Sequence, residues 1–349
     1  MRKIMKQVLG IDVAQKELVT CLGRMYEDCE IELYANKAFA NTEKGFTTMV
    51  AWVKKFTLNE VPVRFVMEAT GVYHESVAYF LEGRGYDVSI VLPNKISNYF
   101  RTLDGKTSTD KTASQAIAMF GLERKLDSWK RPREIFSKIK QLTREYDQIV
   151  CERTVAKNQL HAERAHAMPN KKTEARINTR IKLLNKQIAE IKKEIATLVQ
   201  SEQELSESVK VVCSLPGVGL LTAATVLAET NGFELIRNKR QLTSYAGLDV
   251  MEKQSGTSIK FKPRISKRGN RHLRKALHLP ALSAIRHCER FKNIFVRLVA
   301  KHGIKMKAAV AVQRKLLELV YTIFKTNKPF DENYLQEVQL HSNGQAAPA

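Results

Sequence analysis

The sequence predicts an α/β domain followed by a long all-α region, and three observations predict it. Up to about residue 100, short runs rich in β-formers are interspersed with stretches of helical spacing. From about residue 131 the apolar periodicity is helical only. Charge divides at the same place. Residues 1–130 carry 18 Lys and Arg against 16 Asp and Glu, whereas the rest of the 349-residue chain holds 40 against 20.

The elements follow in order. QVLGIDVA, ELVTCLGRMY and EIELYANKAFA read as three strands, and GFTTMVAWVKKF as a helix. VPVRFVMEAT and YDVSIVLP read as strands again, separated by HESVAYFLEGRG, a helix that ends at glycine. Three strands, a helix and then alternating strands is the order of an RNase H-like domain, which we place at residues 1–130. Ile177, Ile181, Leu184, Ile188, Ile191, Ile195 and Leu198 then keep a 4-3 spacing. Ile135, Ile139, Leu142, Tyr146 and Ile149 show the same rhythm, which weakens at Arg153. MPNKK at 168–172 breaks the two stretches, so residues 131–208 form an antiparallel coiled-coil arm, read as a dimerisation or spacing element. Residues 209–330 form a helical C-terminal domain that opens on SLPGVGLLTAATVLAET, where Pro216, Gly217 and Gly219 turn into an apolar helix. Backbone amides at such a start can hold a phosphate. Residues 331–349 lose periodicity and are expected to be partly disordered.

Composition narrows the function. The formal charge of +22 favours a polyanionic partner. No apolar run approaches the roughly 20 residues that span a bilayer, and MRKIMKQVLGIDVAQ lacks the features of a secretory signal. Five cysteines without CxxC spacing argue against a zinc site or a disulfide framework. The expected location is the cytoplasm.

Three acids stand where a metal-dependent nuclease needs them. Asp12 follows Val8-Leu9-Gly10-Ile11 in an otherwise apolar strand, where a charge is costly unless it binds a metal or pairs. Glu68 ends the run Val63–Met67, and Asp110 opens the helix TDKTASQAIAMFGLERK. Asp110 also suits a helix cap. Hard oxygen ligands of this kind hold Mg²⁺, the cofactor of much phosphodiester cleavage. Far downstream, Ser255 in KQSGTS lies in a Ser-Gly turn just before a basic segment. From Lys260 to Lys315 there are 17 Lys and Arg and one acid, Glu289. Arg264, Lys267, Arg268, Arg271, Arg274 and Lys275 concentrate around one turn and helix start, a surface for nucleic-acid phosphates.

GIDVAQK, EATGVYHE, STDKTASQAIA, LPGVGLLTAATVLAE, SYAGLD, QSGTS and RISKRGNRHLRKAL occur in this order. The chain thereby resembles, from Val8 to about Phe330, the DEDD transposases of bacterial insertion sequences, of the IS one-ten type. The resemblance implies a RuvC-like N-terminal domain with four acids, a coiled-coil arm and a C-terminal transposase domain with a serine nucleophile. Asp12, Glu68 and Asp110 then match the first three acids, and Ser255 the serine. A fourth aspartate would stand three residues after the third, where this sequence has Ala113 followed by Ser114. Asp104 is an upstream acid that could assist. The resemblance further implies Mg²⁺-dependent strand exchange on donor and target DNA through a covalent phosphoserine, a structured guide RNA, a homo-oligomer (dimer or tetramer) and a bacterial, nucleoid-associated protein. Two other readings stand beside it: a RuvC-like endonuclease that hydrolyses branched DNA with water, and a catalytically decayed nucleic-acid-binding protein.

Overall fold

The computed structural model describes residues 2–69, 71–103, 109–234, 236–252, 254–255, 259–260 and 263–332. The chain divides into two compact units, Met1–Arg131 and Pro132–Ala349.

In the first unit the elements run β1 (Ile4–Val13), β2 (Glu17–Tyr26), β3 (Ile31–Ala40), α1 (Glu43–Phe56), β4 (Val63–Glu68), α2 (Glu75–Glu82), β5 (Asp87–Val91), α3 (Pro93–Phe100) and α4 (Asp110–Glu123). The strands form one sheet in the order β3-β2-β1-β4-β5. β1, β2 and β3 pair antiparallel, whereas β4 and β5 run parallel to β1. A meander extended by parallel strands through helical crossovers is the RNase H-like arrangement. The central strand β1 is covered on both faces, which explains its near-continuous apolar run. Leu9, Ile11, Phe65 and Met67 pack under Phe46, Met49 and Val53 of α1 and Val77 and Leu81 of α2. Val8, Cys21 and Val66 face the other way, under Ile117, Ala118 and Leu122 of α4 and Ile96 and Tyr99 of α3. The short helix α3, with Pro93 at its start, was not legible in the strand pattern.

One sheet edge is closed by chain that follows α4. Trp129 N donates to Val88 O at 2.6 Å, and Ser89 Oγ donates to Asp127 O at 3.0 Å. Ser128 Oγ reaches Asp87 Oδ1 at 2.6 Å, and the Trp129 ring meets Tyr79 edge-on.

The second unit begins with α5 (Glu134–Ala165) and α6 (Lys171–Ser201), followed by α7 (Gln203–Val212), α8 (Leu220–Glu229) and α9 (Lys239–Tyr245). Four two-residue strands come next: β6 (Val250–Met251), β7 (Gln254–Ser255), β8 (Ile259–Lys260) and β9 (Arg264–Ile265). The unit ends with α10 (Arg271–Ala276), α11 (His278–His287), α12 (Glu289–His302) and α13 (Lys305–Thr326). α5 and α6 lie antiparallel: Arg153 bonds Asn185, Arg180 bonds Gln159 and Arg164 bonds Glu174 across them. The hairpin covers its own seam. Ile177, Leu184, Ile188, Ile191 and Ile195 are buried, with Ile149, Ala156 and Leu160 of α5 in the same core. Arg153, where the apolar rhythm weakens, spends its side chain on one of these bonds to α6.

The PGVG turn has a packing reason for its second residue. Gly217 takes φ +81°, and a Cβ there would stand 3.0 Å from Ser283 Cβ on α11. Within the described residues the third segment is not purely helical, because β6 pairs with β9 and β7 with β8. Asp104 and the tail from residue 333 lie outside the described residues. All five cysteines are free, and no described helix is long and apolar enough to cross a membrane.

Candidate functional site

The sheet register brings two of the acids side by side. Ile11 pairs with Met67, so Asp12 and Glu68, each one residue further on, leave the parallel strands at the same level. Side chains alternate along a strand. Leu9, Ile11 and Met67 take the α1 face, so Asp12 and Glu68 take the opposite one, with Val8 and Val66.

That opposite face is where α4 lies, held close by two glycines. A Cβ on Gly121 would stand 2.8 Å from Val66 Cγ2 and 2.9 Å from Val8 Cγ1. A Cβ on Gly10 would stand 2.8 Å from Ala118 Cα and closer still to the Ser114 carbonyl oxygen. Successive turns of α4 therefore pass over residue 8, then residue 10. The next turn toward its N-terminus begins at Asp110 and lies over the level of Asp12 and Glu68. Thr109 fixes that start: its side chain accepts from Thr112 N, and the Thr112 hydroxyl accepts from Thr109 N in return. An acid in the first turn also complements the helix dipole.

The electrostatics report the convergence. Burial, then the charges of Asp110 and Glu68, push the Asp12 carboxyl up from 3.8 to about 6, against a hydrogen bond from the Val13 backbone. Among the described residues no three His, Cys, Asp or Glu side chains stand close enough to hold a metal ion. The carboxylates lie within electrostatic reach of one another without closing into a ligand shell. Their chemistry nevertheless fits a hard divalent cation: oxygen donors only, partly desolvated, with a repulsion that a cation would relieve.

The fourth position is legible in the helix. Ala113 is half-buried, three residues after Asp110. Ser114 is no substitute, because its buried hydroxyl donates to Lys111 O at 2.8 Å. Replacing Ala113 with aspartate is expected to raise Mn²⁺ affinity by roughly tenfold. Calorimetric titration of the variant against the parent chain measures this, and equal affinities would place residue 113 outside the metal shell.

Ser255 is in the second unit. It lies on β7 rather than in a free turn and pairs with Ile259 at the outer end of a small ladder. Nearer the chain's re-entry, Val250 pairs with Ile265, Ser266 N donates to Asp249 O at 2.9 Å, and Ser266 Oγ donates to Asp249 Oδ1 at 2.6 Å. The six cations of the basic segment divide by role. Arg264, Lys267, Arg268 and Arg271 are exposed. Arg274 is used internally, its Nη1 donating to Ala246 O at 2.8 Å and Gly269 O at 3.1 Å, and Lys275 pairs with Asp147 at 2.9 Å.

One charged cluster escaped the sequence reading. Glu229, at the end of α8, has a side chain only 1% exposed and bonds Arg144 and Asn270. Burial alone would raise its pKa; hydrogen bonds from Arg144 and Asn270 and the charges of Arg144 and Lys140 outweigh it, leaving the carboxyl below its usual range. The signal that could have found it was a single acid closing the otherwise apolar run LLTAATVLA.

Comparison with known proteins gives the following. A family model described as "Transposase", for the DEDD type, matches residues 9–163, and one described as "Transposase IS116/IS110/IS902 family" matches residues 209–295. A pilin gene-inverting protein of Moraxella bovis is 26% identical over 332 residues, covering 94% of this chain and 98% of that protein. A transposase of the insertion element IS1111A from Coxiella burnetii is 27% identical over 154 residues, 42% of this chain and 41% of that one. Among solved structures, T. thermophilus RuvC in complex with a Holliday junction aligns with a TM-score of 0.27 at 10% identity, covering 36% of this chain and all of that one. The strand order, rather than this last likeness, identifies the fold.

Proposed function

The chain belongs to the IS110 family of insertion-sequence transposases, and from that premise we propose that it cuts and rejoins DNA through a phosphoserine at Ser255. What supports the catalytic reading is that Asp12 and Glu68 end neighbouring strands at one level, and that the charges of Asp110 and Glu68 add to burial in pushing the Asp12 carboxyl up to about 6. These three residues would hold a divalent metal, Mg²⁺ in this reading, which when bound supplies Lewis-acid stabilisation to the phosphodiester under attack.

The chain's own residues do the remaining work. The Ser255 Oγ attacks phosphorus, an O–P bond forms, and the bond from phosphorus to one strand's oxygen breaks. The serine proton passes to solvent and the released strand end takes one up as a hydroxyl. Attack by the hydroxyl of another strand reverses the step and frees the serine, so the number of ester bonds is unchanged and no energy source is needed. Exposed Arg264, Lys267, Arg268 and Arg271 hold backbone phosphates beside this segment. A guide RNA that selects donor and target, and an oligomer in which more than one copy acts, complete the reading.

The test mixes the purified chain with Mg²⁺, a labelled duplex carrying the joined ends of the element that encodes it, and RNA transcribed from its flanks. A covalent protein–DNA adduct is expected with the parent chain and none with Ser255→Ala. An undiminished adduct in the variant removes Ser255 from the mechanism and favours hydrolysis by water.

A further inference from the structure

Tyr245 and Asn270 are the two ends of the segment that carries Ser255, and both are fastened to one buried acid. Arg144 on α5 grips the Glu229 carboxylate with two bonds, Nε to Oε1 at 2.8 Å and Nη2 to Oε2 at 3.1 Å. Asn270 Nδ2 donates to Glu229 Oε2 at 2.7 Å, and the Tyr245 hydroxyl donates to the Glu229 carbonyl oxygen at 2.9 Å. Asn270 N donates to Tyr245 O at 2.8 Å, which closes a ring of bonds through residues 229, 245 and 270. The Asn270 Oδ1 is occupied as well, accepting from His272 N and Leu273 N at the start of α10. Inside the ring the two ends touch backbone to backbone: a Cβ on Gly269 would stand 2.6 Å from Gly247 N.

A charge is an expensive way to make such a joint. Buried ion pairs are often no more stabilising than apolar residues of the same volume, and their best-attested use is to fix one geometry. The carboxylate takes two directed donors from Arg144 and one from Asn270, which leaves little freedom in where Asn270 stands, while the Glu229 main chain holds Tyr245. We propose that Glu229 is a positioning residue for the Ser255 segment, setting the separation and register of its two ends and through them the rate at which the segment reacts with DNA. The proposal rests on the reading of Ser255 as nucleophile and adds a residue that touches neither DNA nor the reacting atoms.

Glu229→Gln keeps the shape and removes the charge. Asn270→Ser keeps a good cap for α10 but is too short to reach Glu229, so it carries the test if the first variant fails to fold. Two readouts are taken on the full chain with the duplex and RNA described above. Adduct formation at saturating DNA is expected to slow about 10–100-fold, with DNA affinity unchanged. Hydrogen exchange at the amides of Ser266, Lys267 and Asn270 is expected to quicken about tenfold, with the amides of α13 unaffected. Unchanged exchange and adduct rate would overturn the proposal. So would exchange that quickens equally throughout the second unit, because that marks a purely structural role. If Ser255→Ala retains the adduct, the nucleophile reading falls, and the exchange result alone decides whether Glu229 fixes this segment.

Discussion

Replacing Gly10 with valine is expected to dislodge α4 and destroy the carboxylate site together. Local preference points the other way, because valine is favoured in strands by up to about 1 kcal/mol. Tertiary contact decides the matter. The atoms facing Gly10 are the backbone of Ser114 and Ala118, which cannot swing aside as the end of a flexible side chain would. Overlap of this kind is expected to destabilise the first unit by at least about 3 kcal/mol. Both tryptophans, Trp52 and Trp129, lie in that unit, so tryptophan fluorescence during urea unfolding of the full chain reads its stability selectively. Because α4 also carries Asp110, the surviving folded protein should lose metal-dependent strand cleavage. A variant with parental stability would show that α4 can ride higher over the sheet.

Asp12→Asn is expected to make the protein more stable and far less active. Strand cleavage should fall about 100–1,000-fold, the scale of losing one group that stabilises developing charge. Stability moves oppositely because Asp12 is ionised at neutral pH against burial and two neighbouring acids. Its carboxyl titrates near 6 when folded and near 3.8 when free, so unfolding releases a proton between those values. In metal-free buffer the parent chain should therefore lose about 1–3 kcal/mol as pH rises from about 4 to about 6, then level off. The asparagine variant should lack that decline and be the more stable protein at pH 7. Tryptophan fluorescence melts across this range provide the measurement. A parallel pH dependence in both proteins would show that Asp12 does not carry the strain.

The three acids were legible as candidates because local patterns mark them. Asp12 and Glu68 each close an apolar run, and runs buried on both faces are how parallel central strands read. Gly10 carried a signal that went unread: a glycine inside a strand marks the close approach of another backbone, here that of α4. What escaped was structure made by distant partners. Arg144 and Glu229 are 85 residues apart, and Glu229 and Asn270 are 41 apart, so no window of periodicity contains them. The strands around Ser255 are two residues long, too short to show alternation, and KQSGTS therefore read as a turn. The helical arm was legible as a seam, but a seam says nothing about whether its partner is another copy or the neighbouring helix. Here Ile149, Ala156 and Leu160 share its core.

The residues that close the sheet at Val88 and Ser89, Trp129 and Asp127, lie after the last helix of the first unit, just before the second unit begins. A fragment cut at the end of α4 would keep every described strand and helix of the first unit and still expose a raw β edge, with the Val88 carbonyl stripped of its donor and the Ser89 hydroxyl of its acceptor. Unguarded edges invite pairing with other molecules. This stretch is therefore a guard rail as much as a tether, and the smallest well-behaved piece of this half of the protein extends through Arg131.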